Sequence, residues 1–194
     1  MIGIEDIDAA LLLTLNGKGV SWLDTVMMTV TNRWFWVPFY VLLVGYMVKT
    51  MGWRQAIFWT LCAAAAVGIT DFVIASGLRP WIGRLRPSNL DNPLSAFVNV
   101  VDGYRGGRYG FPSCHAGNTA ALAAVLILTV RKRWLTAVLV AYVVINCYSR
   151  MYLGVHYPGD ILVGLIIGAL VGWGLTLGAR RVYPKLLSRF RGVQ

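Results

Sequence analysis

The stretch PGDILVGLIIGALVGWGLTLGA, residues 158–179, decides the fold, because it is almost wholly apolar and its only charged residue is Asp160. A helix of about 20 mostly apolar residues is long enough to cross a bilayer. Four other stretches have the same character. We therefore predict an all-α integral membrane bundle with about five transmembrane helices, over residues 34–50, 53–76, 113–130, 133–149 and 158–179.

The composition agrees with a chain solvated by lipid. Of its 194 residues, 57% are hydrophobic and 13% charged, whereas soluble domains have about 25% charged residues. The polar surface is too small to cover a water-soluble globule. We predict one membrane domain, 1–194, in which interfacial helices occupy 1–32, a transmembrane core 33–180 and a basic cytoplasmic tail 181–194.

The N-terminal residues are amphipathic rather than uniformly apolar. A helix over 4–15 places Ile4, Ile7 and Leu11 on one face and its acidic residues elsewhere. Because this segment is too short to span, we predict an interfacial helix lying along the membrane. A second short helix is predicted over 21–31.

The net charge of +10 has two readings. Basic chains often bind nucleic acid, but the apolar runs favour anionic lipids and membrane topology, so no nucleic-acid partner is predicted. Of the 18 Lys and Arg residues, ten lie in the links at 49–54 and 131–133 and after the last span, at 180–194, which the positive-inside rule makes cytoplasmic. The other eight lie on the opposite face, six of them in the loop 77–112 and the turn 149–158. The N-terminus, the loop 77–112 and the turn 149–158 then face the other side. A bacterial inner membrane is the expected location, and the oligomeric state stays open.

Three polar clusters lie on this non-cytoplasmic face. RPWIGRLRP, residues 79–87, holds Arg79, Arg84 and Arg86, whose planar guanidinium donors suit phosphate. The alternative is a set of snorkelling interfacial arginines.

In the second cluster, FPSCHAGNT, Ser113 is a candidate N-cap and His115 lies in the first turn of a helix, whose N-terminus attracts anions. A histidine there can donate a proton to a leaving oxygen, or it is an ordinary interfacial histidine.

The third cluster is SRMYLGVHYPGD, residues 149–160, with Ser149, Arg150, His156 and Asp160. Asp160 lies about one helical turn from His156. A carboxylate bonded to one imidazole nitrogen leaves the other free to attack an electrophile. Alternatively, Asp160 simply caps a helix whose N-terminus favours acidic residues, but that interpretation leaves His156 unexplained.

The three clusters together resemble the type 2 phosphatidic acid phosphatase superfamily. Its blocks K-x6-R-P, P-S-G-H and S-R-x5-H-x3-D correspond here to Arg79-x6-Arg86-Pro87, Pro112-Ser113-Cys114-His115 and Ser149-Arg150-x5-His156-x3-Asp160. The order, internal spacing and placement between spans all match. The resemblance covers about residues 20–180.

This resemblance implies a membrane lipid phosphatase and a role for each matched position. His156 attacks phosphorus and becomes a phosphohistidine, Asp160 supports it, and His115 protonates the leaving group and then activates water. Phosphate is bound by Arg79, Arg86, Arg150, Ser113 and Cys114, with Arg84 and Ser149 as supporting residues. No metal and no cofactor are implied, because the arginines and the helix terminus supply the positive charge.

Three positions need separate interpretation. Arg79 replaces the family's lysine and reaches phosphate differently. Cys114 replaces a glycine, which a helix start tolerates; a catalytic thiol is the minor alternative. Asp71 lies inside the second span, where an acid is a functional hypothesis by default. We expect Asp71 to pair with a site arginine or a neighbouring polar group.

The substrate and the acceptor stay open at this stage. Candidate lipids are polyprenyl diphosphate, phosphatidic acid, phosphatidylglycerol phosphate and phosphorylated lipid A, with polyprenyl diphosphate slightly favoured by analogy alone. A phosphotransferase would use the same phosphohistidine with an alcohol instead of water. A non-catalytic lipid-phosphate binder or transporter is the alternative from a different class.

Overall fold

A computed structural model of the protein describes residues 3–17 and 19–191, with side chains through 183. Two short helices, α1 (Ile4–Leu15) and α2 (Ser21–Thr31), precede the bundle. A 3₁₀ turn at Arg33–Trp36 leads into α3 (Val37–Met51), and a two-helix hairpin continues with α4 (Trp53–Phe72). A π-helical segment, Val73–Leu78, joins α4 to the single turn α5 (Arg79–Ile82). The remaining helices are α6 (Cys114–Val130), α7 (Arg133–Tyr152) and α8 (Pro158–Arg191).

The predicted all-helical membrane bundle is confirmed. Four helices are long and apolar enough to cross a bilayer: Arg33–Met51, Trp53–Ile82, Arg133–Tyr152 and Pro158–Tyr183. The fifth predicted span, α6, has 17 residues and is about 26 Å long. It packs against α4, α7 and α8 at the centre of the bundle. Because protein rather than lipid surrounds α6, it need not match the bilayer thickness.

Several helix ends differ from the sequence expectation. The second span was expected to end at residue 76 but continues to Ile82, because the π-helical segment widens the helix without interrupting it. Such segments are frequent at functional sites. The last helix runs through most of the predicted tail, 181–194, as far as Arg191. Residues 192–194 lie outside the described part of the chain.

Glycines bring α6 and α8 into backbone contact. Gly164, Gly168 and Gly172 recur every fourth residue along one face of α8. A Cβ atom on Gly168 would lie 2.0 Å from the carbonyl oxygen of Gly117 on α6. Small residues at such spacing let membrane helices approach closely. This contact sets the separation between the two helices whose N-termini carry the predicted site.

The long loop between α5 and α6 is ordered and covers the site end of the bundle. A single antiparallel bridge joins Leu85 and Tyr109. Val98 and Val101 in this loop are buried. They pack against residues 152–157 and beneath α1 and α2, where they cover apolar side chains such as Leu12 and Met27. The Phe97 ring in the same loop is largely exposed, at 75%.

Replacing Gly168 with alanine should destabilise the bundle. The added methyl group would overlap the Gly117 carbonyl, so the folded fraction in detergent should melt at least about 3 °C lower, which corresponds to about 1 kcal/mol. Gly174→Ala is the matched control on α8, since nothing lies within 4 Å of its Cβ position. That variant should melt at or slightly above the wild-type temperature because alanine favours helix. Equal melting temperatures for the two variants would contradict this packing.

Candidate active site

His156 and Asp160 form a buried pair at the start of α8. The imidazole Nδ1 lies 3.3 Å from Asp160 Oδ2, and both side chains are essentially inaccessible. Pro158 opens the helix, so Asp160 sits at its third position and accepts a hydrogen bond from the Tyr157 N–H at 3.0 Å. An acid at this position commonly reaches back to the residue that caps the helix. The pairing predicted from the four-residue spacing is thus present.

Arg86 fixes the tautomer of His156. One of its guanidinium nitrogens lies 3.3 Å from His156 Nε2, and arginine can only donate hydrogen bonds. Nε2 must therefore carry the lone pair, which leaves the imidazole proton on Nδ1, facing Asp160. The nitrogen aimed at the arginines is the one able to attack an electrophile.

Three arginine side chains close enough to His156 for their charges to act on it have no carboxylate partner in the part of the chain that the structure describes. Among the described residues, no Asp or Glu lies within 4.0 Å of Arg79, Arg86 or Arg150. Arg86 donates to the carbonyl oxygen of Tyr109 at 3.1 Å, and Arg150 is held by the Tyr104 hydroxyl at 3.1 Å. The Nε atoms of Arg79 and Arg150 are buried and have no hydrogen-bond partner in the described chain. Buried donors of this kind fit the oxygens of an anion.

Burial and the neighbouring arginines together lower the pKa values of Arg86 and His156. Burial, then the charges of Arg150 and Arg79, lowers the pKa of Arg86 to about 10. Burial and then the neighbouring arginines hold the pKa of His156 well below its usual value. At neutral pH Arg86 is therefore still charged and His156 is neutral. This is the protonation state that a nitrogen nucleophile requires.

Arg84 has a different partner from the other arginines. Its guanidinium lies 2.9 Å from Asp160 Oδ1 and 2.7 Å from Asp8 Oδ2, and it stacks over the Tyr157 ring at 3.9 Å. Rather than adding to the anion-binding group, Arg84 holds the carboxylate that supports His156. The arginines of the first cluster therefore differ in function. Arg79 and Arg86 have no carboxylate partner among the described residues and can bind an anion, whereas Arg84 holds Asp160.

Asp8 is the site residue that the sequence did not reveal. Besides Arg84, its carboxylate accepts a hydrogen bond from the Gly159 N–H at 2.8 Å, in the first turn of α8. The face of α1 that carries Ile4, Ile7 and Leu11 is exposed, as an interfacial helix requires. Asp8 lies four residues after Ile4 and three before Leu11, beside this stripe on the helix. Its side chain is nevertheless only 12% exposed and contacts Arg84, and the sequence carried no signal for that contact.

The start of α6 supplies the second histidine. Ser113 caps this helix, accepting from the Ala116 N–H at 3.4 Å, and its own N–H donates to the Asp160 carbonyl at 3.0 Å. The two helix N-termini are thereby joined. Cys114 accepts a hydrogen bond from Arg79 at 3.2 Å through its sulfur. His115, in the same turn, is half-buried and faces a cavity.

That cavity extends from His115 into the membrane part of the bundle. It has a volume of about 710 Å³ and lies between α3, α4, α6 and α7. Its walls are mainly apolar and include Leu43, Met47 and Leu126 far from the histidine. His115 therefore stands between the arginine cluster and a space suited to hydrocarbon.

Two predicted supporting residues lie apart from the arginine cluster. The Ser149 hydroxyl is buried and donates to the Asn146 carbonyl at 2.7 Å within α7. Asp71, on α4, accepts a hydrogen bond from Asn118 at 3.0 Å and lines the cavity. Its partner is thus a neighbouring polar group, one of the two possibilities expected. Within the described residues, no three His, Cys, Asp or Glu side chains are grouped as metal ligands.

Comparison with known proteins identifies the family. The sequence profile of the PAP2 superfamily matches residues 57–183, which include all three blocks. The chain belongs to the PAP2 superfamily. The resemblance carried by the motifs is confirmed.

Two curated relatives match almost the whole chain. A lipid A 4'-phosphatase of Bacteroides thetaiotaomicron is 42% identical over 185 residues, which is 95% of this chain and 82% of the relative. A lipid A 4'-phosphatase of Porphyromonas gingivalis is 32% identical and covers 97% of this chain and 78% of its own length. The crystal structure of a transmembrane PAP2-type phosphatidylglycerolphosphate phosphatase from Bacillus subtilis has the same fold, with a TM-score of 0.66 over 92% of this chain and 87% of that one, at 21% identity.

Asp8→Ala should impair catalysis while leaving substrate binding nearly intact. It removes the partner of Arg84 and the acceptor for Gly159, so Asp160 and His156 lose their fixed geometry; the phosphate-facing arginines are untouched. We expect kcat to fall roughly tenfold or more, the effect of losing a charged hydrogen bond, with little change in KM. Asp6→Asn on the same helix is the control, since Asp6 is exposed and bonds only to Gly3. If both variants retain wild-type kcat, Asp8 has no positioning role.

Proposed function

We propose that this protein is a membrane phosphatase that removes a phosphate monoester from a phosphorylated glycolipid of the lipid A type. The observation that carries the proposal is the buried His156–Asp160 pair facing three arginines with no carboxylate partner. The names of the two long relatives support the substrate class. Polyprenyl diphosphate, which the sequence alone slightly favoured, is the alternative substrate.

The first step forms a covalent bond between His156 and phosphorus. The lone pair on Nε2 attacks the phosphoryl group as the bond from phosphorus to the leaving oxygen breaks. His115 donates a proton to that oxygen and releases the lipid alcohol. The imidazole ring becomes positive on phosphorylation, and the Asp160 carboxylate at Nδ1 stabilises that charge.

The second step returns the enzyme to its starting state. His115, now neutral, takes a proton from water, and the resulting hydroxide attacks phosphorus. The bond between Nε2 and phosphorus breaks, inorganic phosphate leaves, and His156 regains its lone pair. His115 ends protonated, ready to act again as an acid, so protons and charges balance over the cycle.

The arginines stabilise the phosphoryl group through both steps. Negative charge spreads over the equatorial oxygens during phosphoryl transfer. The free guanidinium donors of Arg79 and Arg150 are positioned before substrate arrives, and Arg86 shifts from His156 Nε2 to an incoming oxygen. The N-terminus of α6, capped by Ser113, adds a further positive dipole. These groups supply the charge that a metal ion provides in other phosphatases, so we propose a metal-independent reaction without a cofactor.

The site end of the bundle is proposed to face the non-cytoplasmic side of a bacterial inner membrane. The basic links α3–α4 and α6–α7 lie at the end of the helices opposite the site, and the positive-inside rule assigns that end to the cytoplasm. A lipid can then keep its chains in the bilayer while its phosphate reaches His156.

The direct test is phosphate release from defined lipids by the purified protein in detergent. A bisphosphorylated, N-acylated glucosamine disaccharide lipid, a polyprenyl diphosphate and phosphatidic acid are compared with and without EDTA. We expect turnover of the glycolipid, no loss with EDTA, and a loss of at least about 10⁴-fold in His156→Ala. Asp91→Asn is the control, because that carboxylate is exposed and bonded only at the surface.

Each part of the proposal has its own contrary result. Unchanged turnover by His156→Ala would contradict the nucleophile assignment. Strong inhibition by EDTA would contradict the metal-independent mechanism. Release of phosphate from polyprenyl diphosphate but not from the glycolipid would contradict the substrate class and leave the chemistry standing.

A further inference from the structure

One polar pair in the cavity wall has no role in the phosphoryl chemistry. Asn118 on α6 donates a hydrogen bond from Nδ2 to Asp71 Oδ1 on α4 at 3.0 Å, and both side chains line the cavity. A carboxylate in a membrane-spanning segment is costly and usually functional. The surrounding wall is largely apolar, so this pair is a distinct polar feature of the space.

The pair has unused hydrogen-bond acceptors. The Asn118 Oδ1 atom is buried and has no partner among the described residues. Asp71 forms no ion pair within the described chain, and a carboxylate has about four acceptor positions. Since the amide oxygen and the carboxylate both accept, the missing partner must be a donor.

The pair lies beside the leaving-group side of the reaction. Asn118 follows His115 by three residues on α6, which places it on the same side of the helix within about one turn, or about 5.4 Å. Cys114 links the two regions, because its sulfur accepts from Arg79 and lies close to Asp71. His115, Cys114, Asp71 and Asn118 all line the one cavity. In the proposed reaction His115 protonates the leaving oxygen, so the alcohol attached to that oxygen extends past this pair.

Candidate leaving groups differ in what they offer at this distance. The polyprenyl phosphate released from a polyprenyl diphosphate presents anionic phosphate oxygens and hydrocarbon, and the diacylglycerol of phosphatidic acid presents ester oxygens, which accept but do not donate. A sugar ring with N-acyl chains presents hydroxyl and amide N–H donors within a few bonds of the phosphate. A leaving group without such donors would leave the buried Asn118 Oδ1 unpaired, and sites discriminate against analogues that leave their buried polar atoms unpaired.

We propose that Asp71 and Asn118 form a specificity site that accepts hydrogen bonds from hydroxyl or amide N–H groups on the leaving sugar alcohol, and so selects phosphorylated glycolipids over polyprenyl diphosphates. This inference rests on the proposed phosphatase function and adds the basis of its selectivity. The alternative role is purely structural, as a tie between α4 and α6.

The test measures kcat/KM for two substrates on each protein preparation, because their ratio cancels any loss of folded enzyme. The substrates are the bisphosphorylated N-acylated glucosamine disaccharide lipid and farnesyl diphosphate, in the same detergent. Asp71→Ala and Asn118→Ala should each lower kcat/KM for the glycolipid by roughly ten- to a hundredfold and change that for farnesyl diphosphate less than about threefold. Asp71→Asn, which keeps an acceptor oxygen, should fall between Asp71→Ala and wild type.

The contrary results separate this inference from the function on which it rests. A parallel fall on both substrates would show a structural tie and overturn the specificity site. An unchanged ratio of the two kcat/KM values in both alanine variants would overturn it as well. In that case, turnover by the wild-type protein would leave the phosphatase function standing. Wild-type protein that releases no phosphate from either lipid would overturn the proposed function itself. Thr60→Val is the matched control, since its buried hydroxyl lines the cavity farther along α4, away from His115.

Discussion

Like charges held close together without a counter-ion dominate this structure. Arg79, Arg86 and Arg150 converge near His156, and no carboxylate of the described chain neutralises them. Such an arrangement is unfavourable until an anion arrives, so the fold must impose it. Burial, and then these charges, hold the pKa of His156 well below its usual value and so keep the imidazole neutral. In the proposed reaction, phosphate binding relieves this repulsion beside Nε2 of His156, the nitrogen that carries the lone pair.

The surrounding structure supplies that constraint through contacts distant in sequence. Arg84 joins Asp160 on α8 to Asp8 on α1, and Asp8 also caps the first turn of α8. Glycine contacts fix α6 against α8, which keeps His115 and His156 in register. The N-terminal helix is therefore part of the site as well as a membrane surface element. Its exposed apolar face and its buried acid give one helix both tasks.

The sequence predicted what depends on local spacing and composition. Apolar runs located every spanning helix, and the four-residue interval located the His156–Asp160 pair, because both depend on helix geometry alone. Arg84 was predicted only as a supporting residue, and the fold shows that its partners are the carboxylates of Asp8 and Asp160. Asp8 lies far from its partners in sequence, so no spacing rule could connect them. Asp71 was predicted to find a polar partner, but its identity as Asn118 depended on how α4 packs against α6.

The central claim is that phosphate passes through a covalent bond to His156, and rapid quenching tests it most directly. The purified enzyme is mixed with lipid phosphate labelled with ³²P, quenched in alkali within milliseconds and digested. The account predicts an acid-labile, alkali-stable label on the peptide that contains His156. The label should be absent in His156→Ala. In His115→Ala the label should both form and decay more slowly, because this variant lacks the acid of the first step and the base of the second. Turnover without any bound label, or label on another residue, would contradict the account.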